Sequence, residues 1–470
     1  MARGKKKEST LTPEEKLAQA LVPVEEQPYK VPENWCWVKL SALSTLISKG
    51  TTPTGGKNAY VSEGVHFLRV ENINDDGTIS HDNIACVTEQ MHTGFLKRSV
   101  LENRDVLVSI AGTLGKTGIV RDIDLPLNTN QAVAFVRLKT EDVNERYIKG
   151  VIDNPITQEL LLGKTKVTSI PNLTLEIIGD CLIPLAPIAE QQRIVDRIEY
   201  LFAKLDEAIE KAQSVLDTFE TRKAAILHKA FIGELTAKWR AEHGVKVESW
   251  DHTTIGVIAE VKGGKRVPKG MELTTENTGH PYIKAGNLKQ GTVIDDGMMY
   301  VPDDVLQYIK NYTVQAGDVY ITNVGACIGD CGVIPPKYDG ANLTENAVKI
   351  TNLRCNGDYL ALFLASNTVQ QSIKSLIASA TLGKLSIANI KTIVIDLPSS
   401  KEQIEIVSII KRLFAKEQQA KEAAEAVLEK IDLLKKSILA RAFRGELGTN
   451  DPTEESAMEL LKTTLCSPTL

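Results

Sequence analysis

Pro184-Leu-Ala-Pro-Ile-Ala-Glu-Gln-Gln-Arg-Ile-Val195 opens a stretch that closes on Ala230-Phe-Ile-Gly-Glu-Leu235, and the chain writes it again 212 residues later. Ile183 to Leu235 aligns without a gap on Ile395 to Leu447, and 24 of the 53 paired positions are identical. Glu190-Gln191 falls on Glu402-Gln403, Leu201-Phe-Ala-Lys204 on Leu413-Phe-Ala-Lys416, and Gly233-Glu-Leu235 on Gly445-Glu-Leu447. Two Ala/Glu/Lys-rich helices of merely similar composition would not keep Phe202 with Phe414 and both Gly-Glu-Leu endings in register. The match is an internal duplication.

Each copy carries a heptad. In the first, apolar residues stand at Ile194, Ile198, Leu201, Leu205, Ala208, Ala212, Val215 and Phe219; Arg222 interrupts and Ile226 restores the pattern. In the second they stand at Ile406, Ile410, Leu413, Ala420, Ala424, Val427, Ile431, Leu434 and Ile438, with Glu417 the one polar member. Alternating steps of four and three make the seam of a coiled coil. Pro184, Pro187 and Gly233 bracket the first helix, Pro398 and Gly445 the second. At about 40 residues each helix spans roughly 60 Å. An exposed seam of that length is not stable in water, so the other copy is the expected partner, packed antiparallel.

The segments between the helices form a fainter pair. Val65-His-Phe-Leu-Arg-Val-Glu-Asn-Ile73 matches His280-Pro-Tyr-Ile-Lys-Ala-Gly-Asn-Leu288, and Asp105-Val-Leu-Val-Ser-Ile-Ala-Gly112 matches Asp318-Val-Tyr-Ile-Thr-Asn-Val-Gly325. Gln131-Ala-Val133 matches Asn346-Ala-Val348, and Ser169-Ile-Pro-Asn172 matches Ser386-Ile-Ala-Asn389. Short apolar runs between Gly, Asn and Asp predict strands, followed by helical stretches near 146–162 and 358–377. The expected fold class is therefore α+β: two tandem strand-rich globules and two long helices, related by a pseudo-twofold axis. The expected boundaries are a polar extension at 1–32, globules at 33–182 and 241–396, long helices at 183–240 and 397–447, and an acidic tail at 448–470. Both ends are expected to be mobile.

Composition excludes several classes. With 470 residues, 43% hydrophobic and 24% charged, the chain has ample material for cores and is not disordered as a whole. No apolar run reaches the roughly 18 residues of a membrane span. The basic start Met1-Ala-Arg-Gly-Lys-Lys-Lys lacks a following apolar stretch, which predicts no secretory signal. Seven irregularly spaced cysteines do not form a disulfide framework and fit a cytoplasmic setting. A net charge of −5 requires any nucleic-acid contact to come from local patches.

Catalytic motifs are missing. Gly112-Thr-Leu-Gly115-Lys116-Thr117 resembles a phosphate loop, but the position of its first glycine is Ile110, and a turn between strands is the better reading. Cys327 and Cys331 have no second pair of ligands to complete a zinc site. No metal site and no cofactor bound by this chain is expected, nor is catalysis by this chain alone.

Polar loops recur at matching places. Lys49-Gly-Thr-Thr-Pro-Thr-Gly-Gly-Lys57, with Thr52, stands early in the first globule, and Lys262-Gly-Gly-Lys265-Arg266-Val-Pro-Lys269 in the second. Small residues let backbone amides approach phosphates while Lys and Arg supply charge and base-edge donors. Arg69, Asn72, Lys284 and Asn287 follow the aligned strands, Lys116 and Asn323 stand in Gly-containing turns, and Lys164, Lys166 and Lys384 lie in a later pair of loops. Each loop alone reads equally as a solvated hairpin; their correspondence in a duplicated frame marks them as candidate DNA contacts.

With the two helix openings, Pro184–Val195 and Leu397–Val407, and the endings Ala230-Phe-Ile-Gly-Glu-Leu235 and Ala442-Phe-Arg-Gly-Glu-Leu447, the chain resembles the specificity subunit of type I restriction-modification systems over roughly residues 33–447. Gly50-Thr-Thr-Pro53 and Lys265-Arg-Val-Pro-Lys-Gly270 resemble the starts of that family's target-recognition domains. Ser399-Ser400, where the first copy has Pro187-Ile188, is a departure. The resemblance implies that each globule reads one half of a bipartite target in double-stranded DNA and that the helices set the spacer. It also implies two modification subunits carrying S-adenosylmethionine and, where restriction subunits join, ATP with Mg²⁺; a modification-only assembly would need the same chain. Glu190, Gln191, Arg193, Glu402 and Gln403 are then candidate outward docking residues. Two rivals remain open at this point: a duplicated scaffold for protein or glycan, and a nucleotide-binding protein using Gly112–Thr117.

Overall fold

The computed structural model describes residues 12–163, 172–378 and 383–466. The chain divides into two compact units, Met1–Lys211 with Val427–Leu470 and Ala212–Ala426. Each contains one globule and part of both long helices.

In the first unit the strands are β1 (Cys36–Lys39), β2 (Ser44–Lys49), β3 (Val65–Leu68), β4 (Ala85–Val87), β5 (Val100–Leu101), β6 (Val106–Ser109), β7 (Thr117–Ile119), β8 (Leu127–Thr129), β9 (Val133–Leu138) and β10 (Leu182–Leu185). β1 pairs with β10, and two four-stranded sheets run β2-β9-β6-β7 and β4-β3-β8-β5; β3 and β8 pair in parallel, the other pairs among the described strands of this unit antiparallel. Side chains alternate across a strand, which explains the uninterrupted apolar run of β6. Val106 and Val108 join Val136, Tyr147 and Ile194 in one core, while Leu107 joins Phe135, Leu68 and Leu127 in another. The sheet is buried on both faces.

The second unit repeats the plan with β11 (Asp251–Thr254), β12 (Glu260–Gly263), β13 (Pro281–Ile283), β14 (Leu288–Lys289), β15 (Thr292–Val293), β16 (Met299–Tyr300), β17 (Val319–Thr322), β18 (Cys331–Val333), β19 (Asn342–Leu343), β20 (Ala347–Thr351) and β21 (Val394–Leu397). β11-β21 and β12-β20-β17-β18 reproduce the first unit's pair and first sheet, β16-β13-β19 its second, and β14-β15 is a hairpin. Val319 and Ile321 face Tyr359 and Ile406, and Tyr320 faces Ile283 and Leu343. The α+β expectation and its duplication stand.

The first long helix runs Ile188–Asp217 and resumes after Thr218 as Phe219–Phe231; the second runs Ser400–Ala442. Within each unit their pairing is antiparallel. In the first, Lys435 meets Asp206 at 2.8 Å while Arg193 donates to Thr449 O at 2.9 Å. In the second, Arg222 meets Glu417 while Phe219 meets Lys421. The seam is only partly covered: Ile194 and Ile410 are fully buried, yet Val427 and Leu434 stay 40% and 48% exposed.

Two expectations need correction. The described parts of the chain ends are packed rather than free. Pro13–Ala20 lies against Ala457–Cys466, whose Leu460 and Leu461 enter the core, and Arg193 holds Glu454 at 2.7 and 2.8 Å. Lys5–Lys7 lie outside the described residues.

The repeated Glu-Gln pair also does not face outward. Glu190, Gln191 and Glu402 are fully buried and Gln403 nearly so. Trp35 Nε1 and Asn450 Nδ2 donate to Glu190 Oε2 at 2.7 and 2.8 Å. Trp250 Nε1, Thr236 Oγ1 and Arg240 Nη1 donate to Glu402 at 3.1, 2.8 and 2.7 Å. Gln191 accepts from Asn144 N and Gln403 from Asn356 N, and those two asparagines cap the helices that start at Glu145 and Gly357. A carboxylate leaves water only where several donors replace it. These four residues fasten each globule to the start of a long helix and do not form the outward surface expected of them. Arg193, half exposed, is engaged by Glu454 and Thr449.

Candidate nucleic-acid interface

In each globule the hydrogen-bond ladders bring several loops to one end of the sheets. At the end of β2, Gly50 N donates to Val133 O and Thr51 N to Thr129 O; Asn130 N donates to Leu68 O, and Ile110 N to Ala132 O. At the end of β12, Gly264 N donates to Ala347 O and Lys265 N to Leu343 O; Thr344 N donates to Ile283 O, and Asn323 N to Asn346 O. The loops after β2, β3, β6 and β8 therefore share one edge, as do those after β12, β13, β17 and β19. The equivalent glycines explain the close approach: a Cβ on Gly50 would fall 2.1 Å from Asn130 O, and one on Gly264 2.1 Å from Thr344 O.

This frame collects most of the sequence-predicted contacts. In the first globule Lys49 and Thr52 are exposed, and Lys57 lies in the turn Gly56–Ala59. The Arg69 guanidinium stacks over Tyr60, 4.8 Å from the ring centre. Lys116 follows the turn between β6 and β7 and reaches Asp75 at 3.0 Å. That turn is closed by Gly115 N on Ser109 O and Lys116 N on Ser109 Oγ, which makes it a strand connection and not a phosphate loop. Lys164 and Lys166 lie outside the described residues.

In the second globule Lys262 pairs with Glu260 at 2.6 Å, Lys265 lies over the ring of Tyr312, and Arg266, Lys269 and Lys384 are exposed. Lys284 is half-buried. Asn323 is fixed through its backbone to Asn346 and Leu385, and its buried Oδ1 has no partner among the described residues.

Asn72 and Asn287 are corrected. Both are buried, and their Oδ1 atoms accept from the backbone N of Arg69 and Lys284 at 3.0 and 3.1 Å. Asn287 Nδ2 also donates to Ile294 O and Asp296 O. Their Oδ1 atoms lock the turns that present Arg69 and Lys284 and are not open acceptors for a base edge.

Several residues at this edge were not singled out from the sequence: Tyr60, Tyr312, Gln131 and Glu345. Tyr60 and Tyr312 each lie under a cation, Arg69 and Lys265, and Gln131 and Glu345 occupy the same turn before β9 and β20. The ladders offset these turns by 214 residues, since Val133 N donates to Asn130 O as Ala347 N does to Thr344 O. The sequence match of Gln131-Ala-Val133 to Asn346-Ala-Val348 slips by one from this register.

No group of three or more His, Cys, Asp or Glu that could hold a metal occurs among the described residues. No described helix is long and apolar enough to cross a membrane.

The comparisons with known proteins agree with this arrangement. The family profile "Type I restriction modification DNA specificity domain" matches residues 32–215 and again 247–430. The EcoKI specificity subunit of Escherichia coli (strain K12) is 23% identical over 439 residues, spanning 89% of this chain and 90% of that protein. The EcoBI specificity subunit of Escherichia coli is 28% identical over 256 residues, 53% of this chain and 52% of its own length. The crystal structure of an HsdS subunit from Thermoanaerobacter tengcongensis shares the fold at 19% identity with a TM-score of 0.66, over 90% of this chain and all of that one. With both copies of its domain matched and the duplicated frame in place, this chain belongs to the type I restriction-modification DNA specificity family.

Proposed function

We propose that this chain chooses the DNA sequence on which a type I restriction-modification assembly acts, each globule reading one half of a bipartite target with the loops at its sheet edge. The observation that carries the reading is the repetition of one edge geometry in two units whose exposed side chains differ. The frame recurs in Gly50 and Gly264 and in the two backbone-locked turns, while the residues set upon it do not. A duplicated frame with divergent loop residues is what reading two different half-sites requires.

Methylation and cleavage belong in this reading to partner subunits in the cytoplasm. Two modification subunits would bring S-adenosylmethionine, and restriction subunits, where they join, ATP and Mg²⁺. The chain's acidity fits partners that supply much of the phosphate contact. The long helices would set the distance between half-sites.

A genome-wide adenine-methylation map tests the proposal. Cells carrying this gene with its neighbouring methyltransferase gene are compared with cells lacking only this gene. The expected result is a bipartite methylated motif that disappears with the gene. No gene-dependent motif in the presence of demonstrably active methyltransferase would overturn it in favour of a protein-binding scaffold.

A further inference from the structure

The duplicated frame makes differences between the two edges informative, and one of them is centred on Arg266. Its side chain is 77% exposed, and its Nε lies 2.5 Å from Glu345 Oε1. No other hydrogen bond of this side chain is found within the described residues, so neither Nη group is engaged among them. The mount beneath it is rigid. Gly264 is wedged against Thr344 O, Lys265 N donates to Leu343 O, and Lys265 O accepts from the hydroxyl of Tyr282 at 2.9 Å.

The glycine wedge and the backbone bond recur in the first globule, but the three side chains, Arg266, Glu345 and Tyr282, do not. In the hydrogen-bond register Thr52 stands where Arg266 does, Gln131 where Glu345 does, and Phe67, without a hydroxyl, where Tyr282 does. The backbone frame closes equally well without the three, so folding does not require them. They belong together as one device.

We propose that Arg266 reads a guanine in the half-site of the second globule and that Glu345 is its positioning residue; this rests on the sequence-reading function proposed above. With Nε held by a carboxylate, the guanidinium presents its Nη1/Nη2 edge end-on, the two-donor fork that matches O6 and N7 of guanine in the major groove. The carboxylate also decides against a backbone role. It offsets the arginine's charge and repels an approaching phosphate anion far more than the uncharged acceptors of a base edge. Glu345 thus converts a general phosphate contact into a base reader. Thr52, uncharged and short, gives the first globule no such guanine contact.

The test is a selection of bound DNA from a randomised pool, with the full chain in complex with its modification subunits, for the wild type and for Arg266→Ala, Arg266→Lys and Glu345→Gln. The expected result for Arg266→Ala is loss of one G·C preference in one half-site, about 5- to 150-fold, with the other half-site intact. Arg266→Lys does not restore it, because lysine lacks the fork. Glu345→Gln weakens preference at that same position, and adding it to Arg266→Ala changes nothing further there. The salt dependence of binding stays unchanged in Arg266→Ala. A uniform loss over all sequences with a shallower salt dependence would mean a phosphate contact and overturn the inference, as would an unaltered motif. If the wild-type complex itself selects no bipartite sequence, the underlying functional reading has failed instead.

Discussion

Arg222 Nε donates to Glu417 Oε2 at 2.6 Å, and these are the residues at which the apolar seams of the two long helices break. Each interruption alone looks like a defect; together they are a half-buried pair, with Arg222 also reaching Val215 O. A polar pair in an apolar seam fixes register at some cost in stability. Replacing both residues with leucine is expected to leave thermal stability equal or higher. Either single alanine should lower it by about 1 kcal/mol. A double-leucine chain that melts well below both singles would refute the register role.

Glu190→Gln and Glu402→Gln present an amide NH₂ where only donors converge. In the second unit the change also leaves the Arg240 cation, 8% exposed, without its charge partner. The expected cost is about 3 kcal/mol or more for Glu402→Gln and somewhat less for Glu190→Gln. Hydrogen exchange should localise the loosening around Trp250 in one variant and around Trp35 in the other. A Glu190→Gln chain that keeps its protection but no longer binds its partner subunits would restore the docking role the sequence had indicated.

Gly50→Ala and Gly264→Ala each place a methyl group against a backbone carbonyl that cannot rotate away. Overpacking of this kind costs about 1–3 kcal/mol, and the strain falls on the loop behind the glycine. Sequence discrimination should drop in one half-site per variant, read from the selected motif, with the far half-site unchanged. Equal damage to both halves would contradict the assignment of one half-site to one edge.

A pH response is expected in the first unit. His81 Nε2 lies 2.9 Å from the buried Asp124, which Arg121 also holds, and His66 Nδ1 lies 3.2 Å from His81 Nδ1. Burial, and then His81, push the His66 pKa below its ordinary 6.5 against the pull of Asp124. Because the folded state disfavours the proton, the stabilisation is complete above pH 6.5 and declines as pH falls from there toward the folded pKa. Between about pH 7.5 and 5.5, His66→Gln should lose less stability than the wild type. Identical slopes would show that His66 does not carry the response.

Helix length is the last lever. One heptad inserted into both long helices adds about 10.5 Å, or about three base pairs at 3.4 Å each. The methylated motif should keep its specified bases and gain a longer spacer. An unchanged spacer would remove the helices as the ruler.

The helices and the duplication were legible because they are written locally: a gapless 53-residue repeat and a 3–4 rhythm need no knowledge of distant partners. The sheet frame was legible in its blocks for the same reason. Glu190 and Glu402 were not. A charged residue on a helix reads as solvated, and the donors that bury them, among them Trp35 and Asn450, come from far along the chain. Asn72 and Asn287 misled for the opposite reason, since an amide that could read a base can also lock a turn. Glu345 escaped notice because the sequence match there is one residue out of the ladder register, and because a search for DNA contacts looks for cations.

The first unit takes its two pieces from the beginning and the end of the chain, whereas the second is one unbroken block. During synthesis the order of completion is therefore inverted. The ribosome has delivered every residue of the second unit once it passes Ala426, but Glu190 and Trp35, made long before, wait for Asn450. A nascent chain holds the first globule with its helix socket open while the 260 residues from Glu190 to Asn450 are made. Chaperone demand and proteolytic risk should concentrate on that globule, and a premature stop after the second helix should be more damaging to the earliest part of the protein than to the most recent.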